Sequence, residues 1–458
     1  MCFNRLIHVK LLIVLLFSIS LCGSSNNKTD DTKTGAWYKK NSNASINKID
    51  INEYKKAIDE ALNIKDLIIS INEKDGTRTV FDKGVLKKDK FNPEGSFSKS
   101  ITKEIFLSYA REKIIKSEDK EEFKKFLNKK LGEIPEFYNC INHLISINKL
   151  KKSIKNIQIW QLLYNKSGLI SPGDTATRKK ITYGLKFLRT LRKINLASSK
   201  YEYINESQFQ DSFVKNINLS IFNHNKQLFN VYQYSDTNDL FMTRILMDLT
   251  GKSYGEILND FAKKNNFKDI KNLPTNKTLQ DAIDEDESIN KYAKKDNDKM
   301  LFITLRYDIP VSVINGSSSV LTTISTHEKI IRHFASEKSS LYTAYKLVGE
   351  KAFVIDGLDR YNRLGVVDAG FQVDKDNNID KNGDYGVFCD MRSCAIYIRS
   401  TDTVITAYTK EEDFSLKTNH NKLSKVIEYI IKSENQELYI SILKSKLLDA
   451  QNNKRTKK

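Results

Sequence analysis

Proline occurs only 5 times and glycine 18 times in the 458 residues, which argues against collagen-like or proline-rich disordered architectures. Cysteine is also scarce. Beyond the first 25 residues only Cys140, Cys389 and Cys394 remain, an odd number in a long chain, so no disulfide framework is implied. Cys389 and Cys394 have no histidine near them in sequence and are too few for a metal site. After residue 21 no apolar run is long enough to span a bilayer, which needs about 20 residues. The formal net charge is +18, yet no basic run is interleaved with aromatics in a nucleic-acid-binding motif. Lys, Asn and Ile recur throughout, as AT-rich codon usage would produce, so the charge reads as a solvated basic surface and no nucleic-acid partner is expected.

The N-terminus has the pattern of an export signal. Arg5 and Lys10 precede an apolar run over residues 11–21 (LLIVLLFSISL), and the small residues Gly23, Ser24 and Ser25 follow. Cys22 closes the run, and Cys-Gly-Ser-Ser resembles the start of a bacterial lipoprotein. Lipidation of Cys22, with membrane association through that lipid, and ordinary cleavage after Cys22 or Ser24 are both open. In either case the protein is expected outside the cytoplasm, in the periplasm or cell envelope. Residues 1–22 are thus read as the signal and the polar residues 23–48 as a flexible tether. Residues 49–450 are read as one folded domain.

Within that domain, residues 51–64 have helical spacing, and residues 67–72 (LIISIN) and 79–82 read as strands joined by a Glu-Lys-Asp-Gly turn. Residues 100–347 form a mainly helical lobe with long polar connections around 269–298. Strand patterns return in AFVIDGL (352–358), LGVVDAGFQV (364–373), CAIYIRS (394–400) and TVITAYT (403–409), and a last helix is expected over 423–448. Strands at both ends with helices between them predict an α/β (α+β type) fold, with one antiparallel sheet built from both chain ends plus a helical lobe. Residues 67–72 should pair with a strand from the 352–408 region. The loop at 374–384 (DKDNNIDKNGD) has part of a calcium-loop spacing, but Cys389 stands where a bidentate Glu is needed, so it reads as a solvated turn.

The chemistry-bearing segment is Gly95-Ser96-Phe97-Ser98-Lys99, ahead of a helical run. A serine at a helix start and a lysine three residues on share one face. Helix N-terminal N–H groups favour negative charge on the serine oxygen and disfavour positive charge on the lysine, which helps the amine act as a base. Serine is a weak nucleophile until such a base takes its proton. Alone, S-x-x-K also describes a helix cap followed by a surface lysine.

Two further segments carry a resemblance. IWQLLYNKSGL (159–169) and YQYSDTNDLFMTRILMDLTGKSYGE (232–256) resemble, in the same order, stretches of the class C β-lactamases, D-Ala-D-Ala carboxypeptidases and related penicillin-binding esterases. The resemblance implies a β-lactamase/transpeptidase-like fold and an exported serine hydrolase without a cofactor. Its substrate would be a small ester, a peptide or a peptidoglycan-like, cell-wall-derived compound. It gives Ser96 the role of acylated nucleophile, Lys99 that of proton acceptor, and Tyr234 that of proton shuttle to the leaving group. The three should converge within hydrogen-bonding reach. The oxyanion hole would comprise the Ser96 N–H and one from a facing strand. Ser167-Gly168-Leu169 is read as structural, and Gly251 of Thr250-Gly251-Lys252 as a helix cap.

Two departures bear on activity. The family's Tyr-x-Asn is Tyr234-Ser235-Asp236 here, and a carboxylate at 236 would hold Lys99 charged. Asn238 is near in sequence but at a different position. Before the strand at 394–398 there is no Lys-Thr-Gly or His-x-Gly; Arg392 and Ser393 are the nearest substrate-binding candidates, and an arginine fork is not equivalent to a lysine. A catalytically impaired binding or sensing protein is therefore the alternative to the hydrolase.

Overall fold

The computed structural model describes residues 50–95, 97–142, 152–169, 235–275, 279–290, 315–353, 388–389, 393–409, 422–423, 425–427, 429–430, 433 and 435–456. The signal, the tether, the 364–373 strand pattern and the 374–384 loop lie outside them.

Helix α1 (Ile51–Leu62) starts where the Asp50 carboxylate accepts the Asn52 N–H, 2.8 Å away, and buries Tyr54, Ala57, Ile58 and Ala61 on one face. Strands β1 (Leu67–Asn72) and β2 (Arg78–Lys83) follow as a hairpin, with Gly76 at φ +85° in the turn. After the long middle of the chain come β6 (Phe388–Cys389), β7 (Ser393–Ile398) and β8 (Thr403–Thr409). The five form one antiparallel sheet in the order β2-β1-β8-β7-β6. Leu67 lies opposite Thr409 and Asn72 opposite Val404, so the expected pairing of the two chain ends is present.

Successive side chains of a strand point to opposite faces, and this sheet buries apolar residues on both. Leu67, Ile69, Ile71, Ile396, Ile398, Ile405 and Ala407 pack on α1 and on the C-terminal helix. Ile68 and Tyr408 turn the other way, against Ile324. The helical body on that side comprises α2 (Phe97–Tyr109), α3 (Lys120–Asn128), α4 (Ile159–Leu163), α5 (Asp236–Thr250), α6 (Tyr254–Lys264), α7 (Leu279–Asp284), α8 (Ile324–Phe334) and α9 (Ser340–Phe353). Gly251 does end α5: at φ +66° it donates to the Met247 carbonyl, 2.9 Å away.

Three expectations are corrected. The lobe contains a second sheet, ordered β3 (Asn92–Pro93), β5 (Val320–Thr322) and β4 (Ile270–Asn272); its strands are too short to show a period. Ala352 and Phe353, expected to open a strand, are the last residues of α9. The single C-terminal helix is two: its first part reaches Ile430, the Asn435 side chain then accepts the Leu438 N–H at 3.0 Å, and α10 runs over Gln436–Thr456.

Candidate functional site

Helix α2 is buried on every side over Phe97–Leu107, although this stretch carries Lys99, Lys103, Glu104, Thr102, Ser98 and Ser100. Buried polar groups are tolerated only when partnered, and Ser98, Lys99, Thr102 and Glu104 have hydrogen-bond partners. The segment 315–320 (NGSSSV) runs alongside the first turns. The Val320 N–H donates to Ser98 Oγ at 3.2 Å, Lys99 Nζ to the Ser317 carbonyl at 3.1 Å, and Thr102 Oγ1 to the Gly316 carbonyl at 2.6 Å. Close approach here requires glycine: Gly316 has φ +75°, and a Cβ would stand 2.1 Å from Thr243 Oγ1.

One turn beyond Lys99, Lys103 Nζ lies 4.0 Å from Asp239 Oδ1 of α5, both side chains buried. Further along, Glu104 receives the free N–H groups at the start of α9. Its oxygens accept from Ser340 N at 3.0 Å and Leu341 N at 2.7 Å, from the Ser339 hydroxyl at 2.7 Å and from His333 Nε2 at 3.0 Å. Burial alone would raise the Glu104 pKa. The hydrogen bond and charge of His333, then the Leu341 N–H and Ser339 hydroxyl, outweigh it and hold the carboxyl below its ordinary value.

The predicted residues fall as follows. Lys99 is fully buried, with its ammonium or amine directed by the Ser317 carbonyl. Asp236 is the first residue of α5, after the N-cap Ser235, whose hydroxyl accepts the Thr237 N–H at 3.3 Å. Ser393 opens β7, opposite Tyr408. Ser96, Tyr234 and Arg392 lie outside the described residues. The flanks of Ser96 are within them: Glu94 N donates to the Val320 carbonyl at 3.0 Å, Phe97 N to the Glu94 carbonyl at 3.0 Å and Ser98 N to the Gly95 carbonyl at 3.1 Å.

Ser167 and Asn238 lock the start of α5 in place. Ser167 Oγ donates to Asn238 Oδ1 at 2.6 Å, and Asn238 Nδ2 donates to Asn165 Oδ1 at 2.8 Å. The Ser235 N–H also donates to Asn165 Oδ1, at 3.3 Å. Asn238 is thus engaged by the 165–169 turn, and Leu169 joins the helical core. The sequence motif holds the first turn of α5.

Sequence reasoning missed a buried cluster at the start of α2. Glu94 accepts from the Thr322 hydroxyl, from the Tyr408 hydroxyl at 3.0 Å and from His327 Nδ1 at 2.7 Å. Glu94 is two residues from the predicted nucleophile, but His327 and Tyr408 are more than two hundred residues away, so no local spacing signals them. Among the described residues no group of three or more His, Cys, Asp or Glu could hold a metal ion, and no helix is long and apolar enough to cross a membrane.

No known protein-family profile matches the chain, and no curated protein matches it in sequence. Solved structures similar to it include a D-amino acid amidase from Ochrobactrum anthropi SV3, at 12% identity and TM-score 0.48, covering 83% of this chain and 98% of that one. A D-stereospecific amidohydrolase from Streptomyces is similar at 12% identity and TM-score 0.47, covering 83% and 98%. An octameric penicillin-binding protein homologue from Pyrococcus abyssi is similar at 12% identity and TM-score 0.45, covering 83% and 78%. At such identities the likeness assigns no role to any residue.

Proposed function

We propose that the chain is an exported serine hydrolase that acylates Ser96 on an ester, a peptide or a cell-wall-derived amide. The observation that carries this reading is the burial of Lys99. A lysine that merely followed a helix cap would lie in water, yet Lys99 is 0% exposed and its Nζ is held by a main-chain carbonyl. Burying an ammonium costs several kcal/mol before its partners are counted, a cost that a lysine serving only the helix surface would not incur.

In this reading Lys99 or Tyr234 takes the Ser96 hydroxyl proton as Oγ bonds to the substrate carbonyl carbon. The proton then passes to the leaving alcohol or amine as the carbonyl bond to it breaks, and water releases the acyl group by the same route in reverse. The Ser96 N–H at the start of α2 stabilises the oxyanion. Arg392 and Ser393, ahead of and at the start of β7, and Asp236 at the start of α5 would contact the substrate. Export, with lipid on Cys22 or with plain cleavage, places the enzyme at the cell envelope, and residues 49–450 act as one catalytic unit.

Asp236 favours a second reading, a binding or sensing protein with an impaired site. Where the resembled family has an asparagine this chain has a carboxylate, which near Lys99 would hold the amine protonated. Turnover of p-nitrophenyl esters by the wild type, Ser96→Ala and Asp236→Asn separates the two. The hydrolase reading expects wild-type turnover at least about a hundredfold above Ser96→Ala, the scale of one catalytic base. Turnover at the Ser96→Ala level in both other forms favours the binding protein.

A further inference from the structure

We infer that the buried Glu94–His327 pair is a positioning device for the nucleophile turn at residues 95–97, an inference that rests on the hydrolase reading of Ser96. Glu94, His327 and Thr322 are each 0% exposed, as is Tyr408. Glu94 Oε1 accepts the Thr322 and Tyr408 hydroxyls, and Oε2 faces His327 Nδ1 at 2.7 Å, so Nδ1 carries a proton and donates to the carboxylate. These partners come from three elements: β5 of the small sheet, β8 of the large sheet and α8. The main chain of Glu94 is fixed as well, through the Val320 carbonyl on one side and the Phe97 N–H on the other. The Phe97 ring packs on the His327 ring with centroids 4.5 Å apart, and the Tyr408 ring meets the same imidazole edge-on with centroids 5.5 Å apart. Residues 94 and 97 therefore bracket Ser96, and both are referenced to one histidine.

Fold stability accounts for one nitrogen of this histidine, the Nδ1 that partners Glu94, but not for the other. Its Nε2 is buried with no hydrogen-bond partner among the described residues, and an unsatisfied buried polar atom is a net cost. The next residue, Glu328, occupies its own cluster. Its oxygens meet Ser70 Oγ at 2.5 Å and Arg78 at 2.6 Å, and burial raises its pKa against the opposing pull of Arg78, Ser70 and His327. An apolar residue at 327 would pack between Phe97 and Tyr408 without the orphaned nitrogen. What it could not do is hold the Glu94 carboxylate at a set angle. A deviation of about 1 Å in a nucleophile costs on the order of a hundredfold in rate, so a rigid reference has a functional return that the fold does not need.

The test uses the full-length protein and a fluorophosphonate probe, measuring the limiting rate of Ser96 labelling and the probe concentration at half that rate. His327→Leu should lower the limiting rate about tenfold or more while the half-saturating concentration stays within about twofold. His327→Asn, whose side-chain amide can still donate to Glu94, should recover most of the rate. Equal labelling by His327→Leu and wild type overturns the inference, as does a loss that Asn does not rescue. If His327→Leu fails to fold, Glu94→Gln replaces it: the amide keeps the size but sets an NH2 against donors, and it should likewise lower the rate at unchanged half-saturation. If the wild type labels no faster than Ser96→Ala, the hydrolase reading has failed. Positioning is then read from amide hydrogen exchange over residues 95–101, faster in His327→Leu and restored in His327→Asn if the inference holds, and unchanged if it does not.

Discussion

In the proposed hydrolase, Lys99 and Asp236 would set the chemistry between them. Lys99 is inside the protein and oriented by Ser317, so its value as a base depends on what charge stands near it. Asp236→Asn removes a carboxylate from the start of α5 and should raise the rate of acylation by simple esters by about tenfold for each pKa unit by which the lysine is freed. It should not create a preference for carboxylate-bearing penicillins, because the residues before β7 are unchanged. Stopped-flow acylation of both forms with one ester and one penicillin checks this, and a slower Asn variant would make the carboxylate part of a working mechanism. Gly316 offers a test of the wall facing Lys99. Gly316→Ala forces a Cβ against Thr243 at a positive φ, and it should lower stability by about 1–3 kcal/mol in urea unfolding.

At the scale of elements, α2 and α9 are joined through Glu104, whose folded-state pKa lies below the ordinary value. A lowered carboxyl pKa contributes stability that is full above the ordinary glutamate range and is lost as pH falls through the folded value. Wild-type melting temperature should therefore drop on acidification partly through Glu104. Glu104→Gln should be less stable at neutral pH, by about 1–3 kcal/mol for the mispaired N–H groups of α9, and should show a shallower further loss toward acid. Parallel melting curves from neutral pH to about pH 3 would show the two lines converging; a constant separation would contradict the assignment.

How far these elements could be read from sequence follows from the range of the signals. Residues 67–72, 79–82, 394–398 and 403–409 alternate or run apolar over enough positions to announce strands, and Gly251 announces a helix end. The small sheet has strands of two or three residues, shorter than any period, so it was hidden within a helical region. The break before Gln436 is a single asparagine cap within an otherwise continuous apolar pattern. In the site, S-x-x-K marked Lys99 because its information is local, whereas the Glu94 cluster is assembled from residues 94, 322, 327 and 408 and exists only after folding.

Over the whole molecule, the chain ends are folded into each other. β1 pairs with β8, and α10 covers the sheet with Tyr439, Ile440, Leu443 and Leu447 beside Tyr54 of α1. Tyr54 donates its hydroxyl to the Tyr439 carbonyl at 3.0 Å. Truncation after Ile430 removes these four apolar side chains, each worth about 1.5–3 kcal/mol when buried, and exposes one face of the sheet. The truncated protein should bind a hydrophobic dye and lose cooperative melting, including for the helical body that carries Lys99. A body that still melted sharply at the wild-type temperature would mean that the two lobes fold independently.

The central claim is that Ser96 is a nucleophile set beside a buried lysine. The direct measurement is the mass of the peptide containing Ser96 after the intact protein has reacted with a fluorophosphonate. The hydrolase reading predicts one adduct, on Ser96, formed in the wild type and absent from Ser96→Ala and from Lys99→Ala. A wild-type protein that stays unmodified, or an adduct on another serine that persists in Ser96→Ala, would contradict it.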